Sequence, residues 1–183
     1  MSSYFIDRIK LDYDLKKLQQ GSTTALEEIY RVTYSSIFNY TFSLTRNYHL
    51  AEDITQEVYL RIDKYKNKYT SGTNAKAWIY KIAKNLIYTR LKKDGKEVSV
   101  DKEVLEFIVD KQVLVKETDL SFVKEAMDVL TDIERQVVTL HIYGELRHYE
   151  TSQALGIPYE KVRSIYTYAL RKIEKRLGGK RYE

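Results

Sequence analysis

The sequence predicts an all-α protein of two helical units joined by a linker. Apolar residues recur at three- to four-residue spacing along most of the chain, in runs rich in Lys, Glu, Leu, Ile and Ala. One proline and seven glycines in 183 residues leave few breaks, and 43% hydrophobic with 31% charged residues is a globular composition. The charge is also laid out in blocks. Arg61 to Lys93 holds ten Lys/Arg against one Asp, Asp94 to Leu120 four Lys against eight Asp/Glu, and Tyr159 to Arg181 eight Lys/Arg against two Glu. Two basic blocks flanking an acidic middle predict two contacts with a polyanion, separated by a segment that does not touch it. The predicted boundaries are residues 1–95, a linker over 96–118, and residues 119–183.

The first helix runs from Tyr4 to Gln20, with Phe5, Ile9, Tyr13, Leu15 and Leu18 inward, and Gly21 stops it. Ser22 or Thr23 caps the second, whose Ala25, Ile29, Val32, Ile37 and Tyr40 face the core until Arg46 and Asn47. The third spans His49 to Lys66, with Ile54, Val58, Ile62 and Tyr65 buried. The polar loop "NKYTSGTN" follows. The fourth helix, Asn74 to Lys93, offers Trp78, Ile79, Ile82, Leu86 and Ile87 to the core. The linker is acidic, yet "VLEFIV" is not the composition of pure disorder.

The second unit opens near Asp119, with Val123, Ala126, Met127 and Leu130 inward. Thr131 and Glu134 form a capping box for a helix burying Ile133, Val137, Val138, Leu140 and Ile142. Two more helices are predicted, Arg147 to Leu155 and Pro158 to Leu177. Between them, Gly156 suits a left-handed cap and Pro158 a first helical turn.

Several chemistries are excluded. With no cysteine there is no disulfide, thiolate catalyst or Cys-based zinc site. No apolar run is long enough to span a bilayer, and "MSSYFIDRIKLDYD" has charges where a signal peptide is apolar. These features predict a soluble, cytoplasmic protein. His141 and His148 are too isolated to argue a metal site, and no catalytic set or cofactor is expected.

Three constellations remain, and each has a bland counterpart. "ALGIPYEKVRS" fits a plain helical hairpin, or a helix whose Lys161, Arg163 and Ser164 enter a major groove. Lys81, Lys84, Asn85, Tyr88 and Lys92 recur on one helix face. They fit a solvated lysine face, or a stripe for backbone phosphates and stacked bases. Asp53, Gln56 and Glu57, with Glu52 nearby, make a compact acidic patch. Solvent or a docked protein suits it better than paired catalytic carboxylates, because no Gly-rich phosphate loop or His cluster accompanies it.

In order, "GSTTALEEIY", "AEDITQEVYLRI", "AWIYKIAKNLIYTRLKK", a linker, "LTDIERQVVTLHIYGEL" and "ALGIPYEKVRSIYTYALRKIEKRL" resemble the extracytoplasmic-function class of bacterial sigma factors. The resemblance covers about Leu15 to Leu177. It implies a σ2-like bundle and a σ4-like helix-turn-helix domain on a flexible linker, and a protein that is not itself an enzyme. Such a protein binds core RNA polymerase and directs it to promoters. The implied partners are the polymerase β′ clamp helices and β flap, promoter DNA and an anti-sigma factor. The resemblance assigns Asp53, Gln56, Glu57 and Arg61 to the polymerase. It assigns Lys68, Tyr69, Asn74, Trp78, Lys81, Lys84, Asn85, Tyr88 and Lys92 to the −10 element. The "NKYTSGTN" loop matches the segment that captures a flipped non-template base. Lys161, Arg163, Ser164, Thr167, Tyr168, Arg171 and Lys172 fall to the −35 element.

The sequence departs from the family pattern in two places. Thr151 and Ser152 stand where the first helix of the −35 motif usually has a hydrophobe and alanine, which predicts looser packing there. "SIYTYAL" stands where several arginines usually follow the serine, which predicts fewer phosphate contacts and a −35 contact that is weaker or differently specific. A helix-turn-helix regulator without polymerase docking, and a sigma-like decoy that no longer initiates transcription, are the alternative readings.

Overall fold

The structure, a computed structural model, describes residues 3–94 and 126–178, with side chains over 9–93 and 126–178. The predicted linker, the start of the second unit, and Phe5 and Val123 as core residues lie outside what it describes. Every regular element among the described residues is helical.

The first unit has α1 (Ser3–Gln19), α2 (Thr23–Thr45), α3 (Tyr48–Tyr65), a 3-10 turn (Lys66–Lys68) and α4 (Ala75–Asp94). Gly21 ends α1 with a φ of 94°, a value that glycine adopts without a Cβ penalty. Arg46 takes the left-handed position at the end of α2, and the Asn47 side chain accepts the Leu50 N–H to cap α3. The core stripe of α1 is Leu11, Leu15 and Leu18. Ile9 and Tyr13, expected inward, are each more than half exposed. The i, i+4, i+7 leucine stripe sets the helix phase and turns the other pair outward. Val32 is likewise exposed, and Thr33 is buried in its place. Thr33 satisfies its hydroxyl on the Ile29 carbonyl and lies within hydrogen-bond distance of the Tyr59 hydroxyl. Ala25, Ile29, Ile37, Tyr40, Ile54, Val58, Ile62, Ile79, Leu86 and Ile87 are buried as expected. Trp78, Ile82 and Tyr65 are only half-buried.

The second unit has α5 (Asp132–Ile142), α6 (His148–Leu155) and α7 (Tyr159–Leu177), preceded by helical residues 126–128. Glu134 accepts the Thr131 N–H at 2.8 Å, completing the expected box. Glu150 does the same for Arg147. Gly156 is left-handed at φ 70°, while Pro158 stands one place earlier than expected, as the cap of α7. Ile133 and Ile142 are exposed rather than inward, at the two ends of α5. Val137, Val138 and Leu140 are buried.

The two units pack on each other, with α6 against α4 and α5 against α2. Val137, Leu140, Leu146, Ala154, Leu155 and Val162 join the core of the first unit. A smaller cluster of Leu130, Val138 and Ala169 belongs to the second unit alone. Rim ion pairs Arg46–Asp128 at 2.7 Å and Lys76–Glu145 at 3.2 Å cross the same boundary.

Candidate functional site

Three surfaces hold the residues singled out above. The first is the outer face of α3. Asp53 and Gln56 are exposed there, and Glu57 and Arg61 are half-buried. With Lys64 from α3 and Arg90 from α4 they ring a shallow depression around Leu60. Leu60 is 71% exposed, the most exposed large hydrophobic residue among those described. The patch is therefore of mixed charge rather than acidic. Glu57 accepts from Arg90 at 2.7 Å and from Arg61 at 2.9 Å. The Arg90 hydrogen bond first, then that of Arg61, outweighs burial and holds the Glu57 carboxyl below its ordinary value. Arg90 comes from another helix, so the sequence of α3 alone could not show it. Leu60 was legible: it is an apolar residue three, four and seven places from Glu57, Gln56 and Asp53, on the polar face.

The second surface is α4 with the loop before it. Lys81, Asn85 and Lys92 are exposed, Tyr88 is 39% exposed, and Lys84 is half-buried beside them. The spacing thus forms one stripe. The second unit covers part of it. Lys84 donates to the Leu155 carbonyl at 2.8 Å, and Gln136 donates to the Tyr88 hydroxyl. Lys84, Asn85, Tyr88 and Lys92 line an open cleft with Ile133, Gln136 and Leu155. Burial, aided by the Lys81 ammonium, pulls Lys84 below the usual lysine range.

In the loop, Lys68 is exposed, with its ammonium 4.9 Å from the Tyr65 ring centre. Tyr69 and Asn74 are buried at 4% and 7% exposure. The Tyr69 ring packs tilted against Trp78, with centroids 5.3 Å apart, so it offers no free face for a base. Asn74 accepts the Ala77 N–H at 3.0 Å and caps α4, while its Nδ2 is buried without a partner. Thr70, Ser71, Gly72 and Thr73 form the exposed crown.

Behind the crown stand two residues the sequence reading missed, Asp12 and Gln19. Asp12 accepts from the Tyr69 hydroxyl at 2.5 Å, the Gly72 N–H at 2.8 Å and the Ser71 hydroxyl at 3.1 Å. Gln19 donates to the Lys66 and Tyr69 carbonyls, each at 2.8 Å. Burial would raise the Asp12 carboxyl, but the hydrogen bonds from Tyr69, Gly72 and Ser71 and the charge of Lys16 leave it lowered. Their separation of more than 45 residues from the loop hid them.

The third surface is α7. Its buried side carries Val162 and Ala169, and Ile165, Tyr166 and Ile173 are half-buried. Lys161, Arg163, Ser164, Thr167, Tyr168 and Arg171 are exposed. Ser164, Thr167 and Arg171 follow one another at i, i+3 and i+7 along the outer side. Arg163 pairs with Glu160 at 3.4 Å, and the Ser164 hydroxyl is returned to the Glu160 carbonyl. Lys172 sits apart from this face. Its ammonium binds Glu134 of α5 at 2.8 Å and ties α7 to the body of its own unit.

Two family descriptions match the chain. The family description Sigma-70 region 2 matches residues 29–97, and Sigma-70 region 4 matches residues 126–175. Together they cover most of the chain, in the expected sequence. The chain belongs to the extracytoplasmic-function class of bacterial sigma factors. It is 25% identical to SigM of Bacillus subtilis over 156 residues, which is 81% of this chain and 93% of SigM. It is 26% identical to SigW of the same organism over 163 residues, 82% of this chain and 87% of SigW. The fold matches that of the sigma factor RpoE from Bartonella quintana, solved in complex with the anti-sigma factor NepR. There the TM-score is 0.71 at 18% identity, covering 85% of this chain and 98% of that one. As a sigma factor, this protein directs promoter-specific initiation of transcription. Among the described residues, no helix is long and apolar enough to cross a membrane.

Proposed function

We propose that each of the three surfaces serves one step of initiation. The α3 face around Leu60 docks on the β′ clamp helices of core polymerase. The loop at residues 67–74 and the α4 stripe capture and hold the melted −10 strand. The outer side of α7, in a unit that sits on the β flap, reads the −35 element. The protein works in the cytoplasm, beside core polymerase, and contributes binding energy rather than catalysis. A protein inhibitor of the anti-sigma type is its natural regulator, a reading supported by the likeness to RpoE.

The observation that carries this reading is Leu60. A large apolar side chain, 71% exposed at the centre of a ring of charges, has the form of an interface anchor with a polar rim. A solvated face would more commonly carry a polar residue at that place.

The test is run-off transcription with bacterial core polymerase and a library of AT-rich promoter fragments. Wild-type protein should yield transcripts from a defined promoter set, and Asp53→Lys should abolish them by weakening core binding. Core binding without transcripts would indicate a decoy. Absence of core binding would leave a DNA-binding module.

A further inference from the structure

We propose that Asp12, assisted by Gln19, is a positioning residue that holds the loop at residues 67–74 ready to receive the flipped −10 base. The proposal rests on the base-capture reading of that loop given above.

The loop closes on itself through the Thr70 carbonyl, which accepts from the Thr73 N–H and hydroxyl, but those bonds do not tie it to a helix. It is polar, its one buried ring is Tyr69, and its crown of Thr70, Ser71, Gly72 and Thr73 faces water. Gly72 stands at φ 83°, a left-handed conformation that glycine adopts because it lacks a Cβ, and the same lack adds freedom to the unfolded loop. Fixing such a segment at the moment of binding would cost affinity, and fixing it beforehand removes that cost. The fixing groups sit on α1. Asp12 and Gln19 are seven residues apart, two turns on one side of the helix, at the edge of the Leu11, Leu15 and Leu18 stripe. Gln19 ties the start of the loop through the Lys66 and Tyr69 carbonyls. Asp12 ties its crown through the Tyr69 hydroxyl, the Ser71 hydroxyl and the Gly72 N–H. All of these bonds come from α1, and Thr70, Ser71, Gly72 and Thr73 remain exposed to a ligand. Three donors converging on one ionised carboxylate make stronger bonds than neutral pairs would. The Asp12 carboxyl, held below its ordinary pKa by these hydrogen bonds, agrees with a carboxylate that stays charged in this setting.

The experiment uses full-length protein bound to core polymerase. The probe is a fluorescein-labelled single strand carrying the non-template −10 sequence of a promoter that the wild-type holoenzyme transcribes. A series of such strands carries one abasic site at successive −10 positions. For wild type, one position should cost about tenfold in affinity, as expected when a captured base is lost. Asp12→Ala should bind the intact strand as weakly as wild type binds that abasic strand. It should bind the abasic strand itself as wild type does, and core polymerase equally well. Asp12→Asn keeps one acceptor oxygen and should fall between, which also guards against a folding defect in the alanine variant. A full abasic penalty in both variants would overturn the proposal. Equal weakening on intact and abasic strands would also overturn it, since a merely structural role acts on both. If wild type shows no penalty at any position, the base-capture reading itself fails and the proposal with it.

Discussion

The ammonium of Lys84 on α4 donates to the main-chain carbonyl of Leu155, the last residue of α6, at 2.8 Å. A cation of the stripe proposed for the −10 strand is thus spent on the helix-turn-helix unit. Tyr88, one turn further on, is engaged by Gln136. DNA phosphates and α6 cannot both occupy Lys84. On the flexible linker that the resemblance implies, two small surfaces gain little until polymerase fixes their spacing. The packed arrangement adds a second reason for weak binding by the free protein: the stripe is partly covered.

Covering predicts that locking the units together blocks DNA. The chain has no cysteine, so paired thiols can be placed without side reactions. Lys76→Cys with Glu145→Cys replaces a rim ion pair that contributes about 1 kcal/mol or less. Joined by a short, thiol-cleavable bis-maleimide, the variant should lose single-stranded −10 binding by about tenfold or more. Cleavage should restore it. A cross-linked protein that still binds the strand like wild type would show that the contact does not compete. Ten-fold corresponds to about 1.4 kcal/mol, the scale of one or two lost phosphate contacts.

Glu57 and Leu60 separate docking from stability. Leu60 touches solvent, so Leu60→Ala should leave the thermal midpoint unchanged and weaken core binding by about tenfold, as for an interface anchor. Glu57 is held by Arg90 and Arg61, so Glu57→Gln should cost about 1 kcal/mol of stability at pH 7. Its folded carboxyl lies below the ordinary value of 4.5. The stability it adds is therefore present above pH 4.5 and lost as pH falls through the lower folded value. Urea titrations across that window should show a flatter acid limb in Glu57→Gln than in wild type. Charge reversal at Glu57 would crowd three cations and confuse the two effects, which makes Asp53 the better position for it.

His141 predicts a second acid limb. Burial first, and then the neighbouring His148, push its folded pKa from 6.5 down to about 4. The rings lie 4.5 Å apart, and His141 also packs on Tyr166 at 4.4 Å. Its Nε2 is buried without a partner. A neutral imidazole is thus favoured in the fold. Between pH 6.5 and about 4 the unfolded chain takes up the proton first, so stability falls as pH falls. The loss attributable to this residue should be on the order of 2 kcal/mol by pH 4. His141→Phe should remove that slope in denaturant midpoints measured from pH 7 to pH 4.

The helices were legible because their period was. The cap at Gly156 and the Thr131–Glu134 box could be read from local residue types, whereas Asn47, expected at the end of α2, caps α3. Helix phase was less secure. Tyr13 and Val32 satisfy a helical period as well as Leu11 and Thr33 do, and only packing against α2, α3 and α4 decides between them. The stripes on α3, α4 and α7 came from spacing within one helix. What escaped was every group that acts across helices. Arg90 on Glu57, Asp12 and Gln19 on the loop, and Lys172 on Glu134 are long-range pairs, for which a single sequence has no period. Lys172 shows the cost, since its type and place fit a DNA contact but its ammonium is committed to α5.

The helix-turn-helix carries the last prediction. Thr151 stands where a hydrophobe was expected, and the structure buries it completely, at 0% exposure. Its hydroxyl has no hydrogen-bond partner. A buried, unsatisfied hydroxyl costs about 1–3 kcal/mol of desolvation that a methyl of the same shape would not incur. The expectation of looser packing in α6 therefore has an energetic form: the helix fits, at a cost in solvation. Thr151→Val should stabilise the protein by about 1 kcal/mol, seen as a higher urea midpoint with an unchanged slope. Because Thr151 faces inward and the residues proposed to read the −35 element face outward on α7, the variant should keep the promoter choice of wild type. A lower midpoint would mean that the hydroxyl has a use that its surroundings do not reveal.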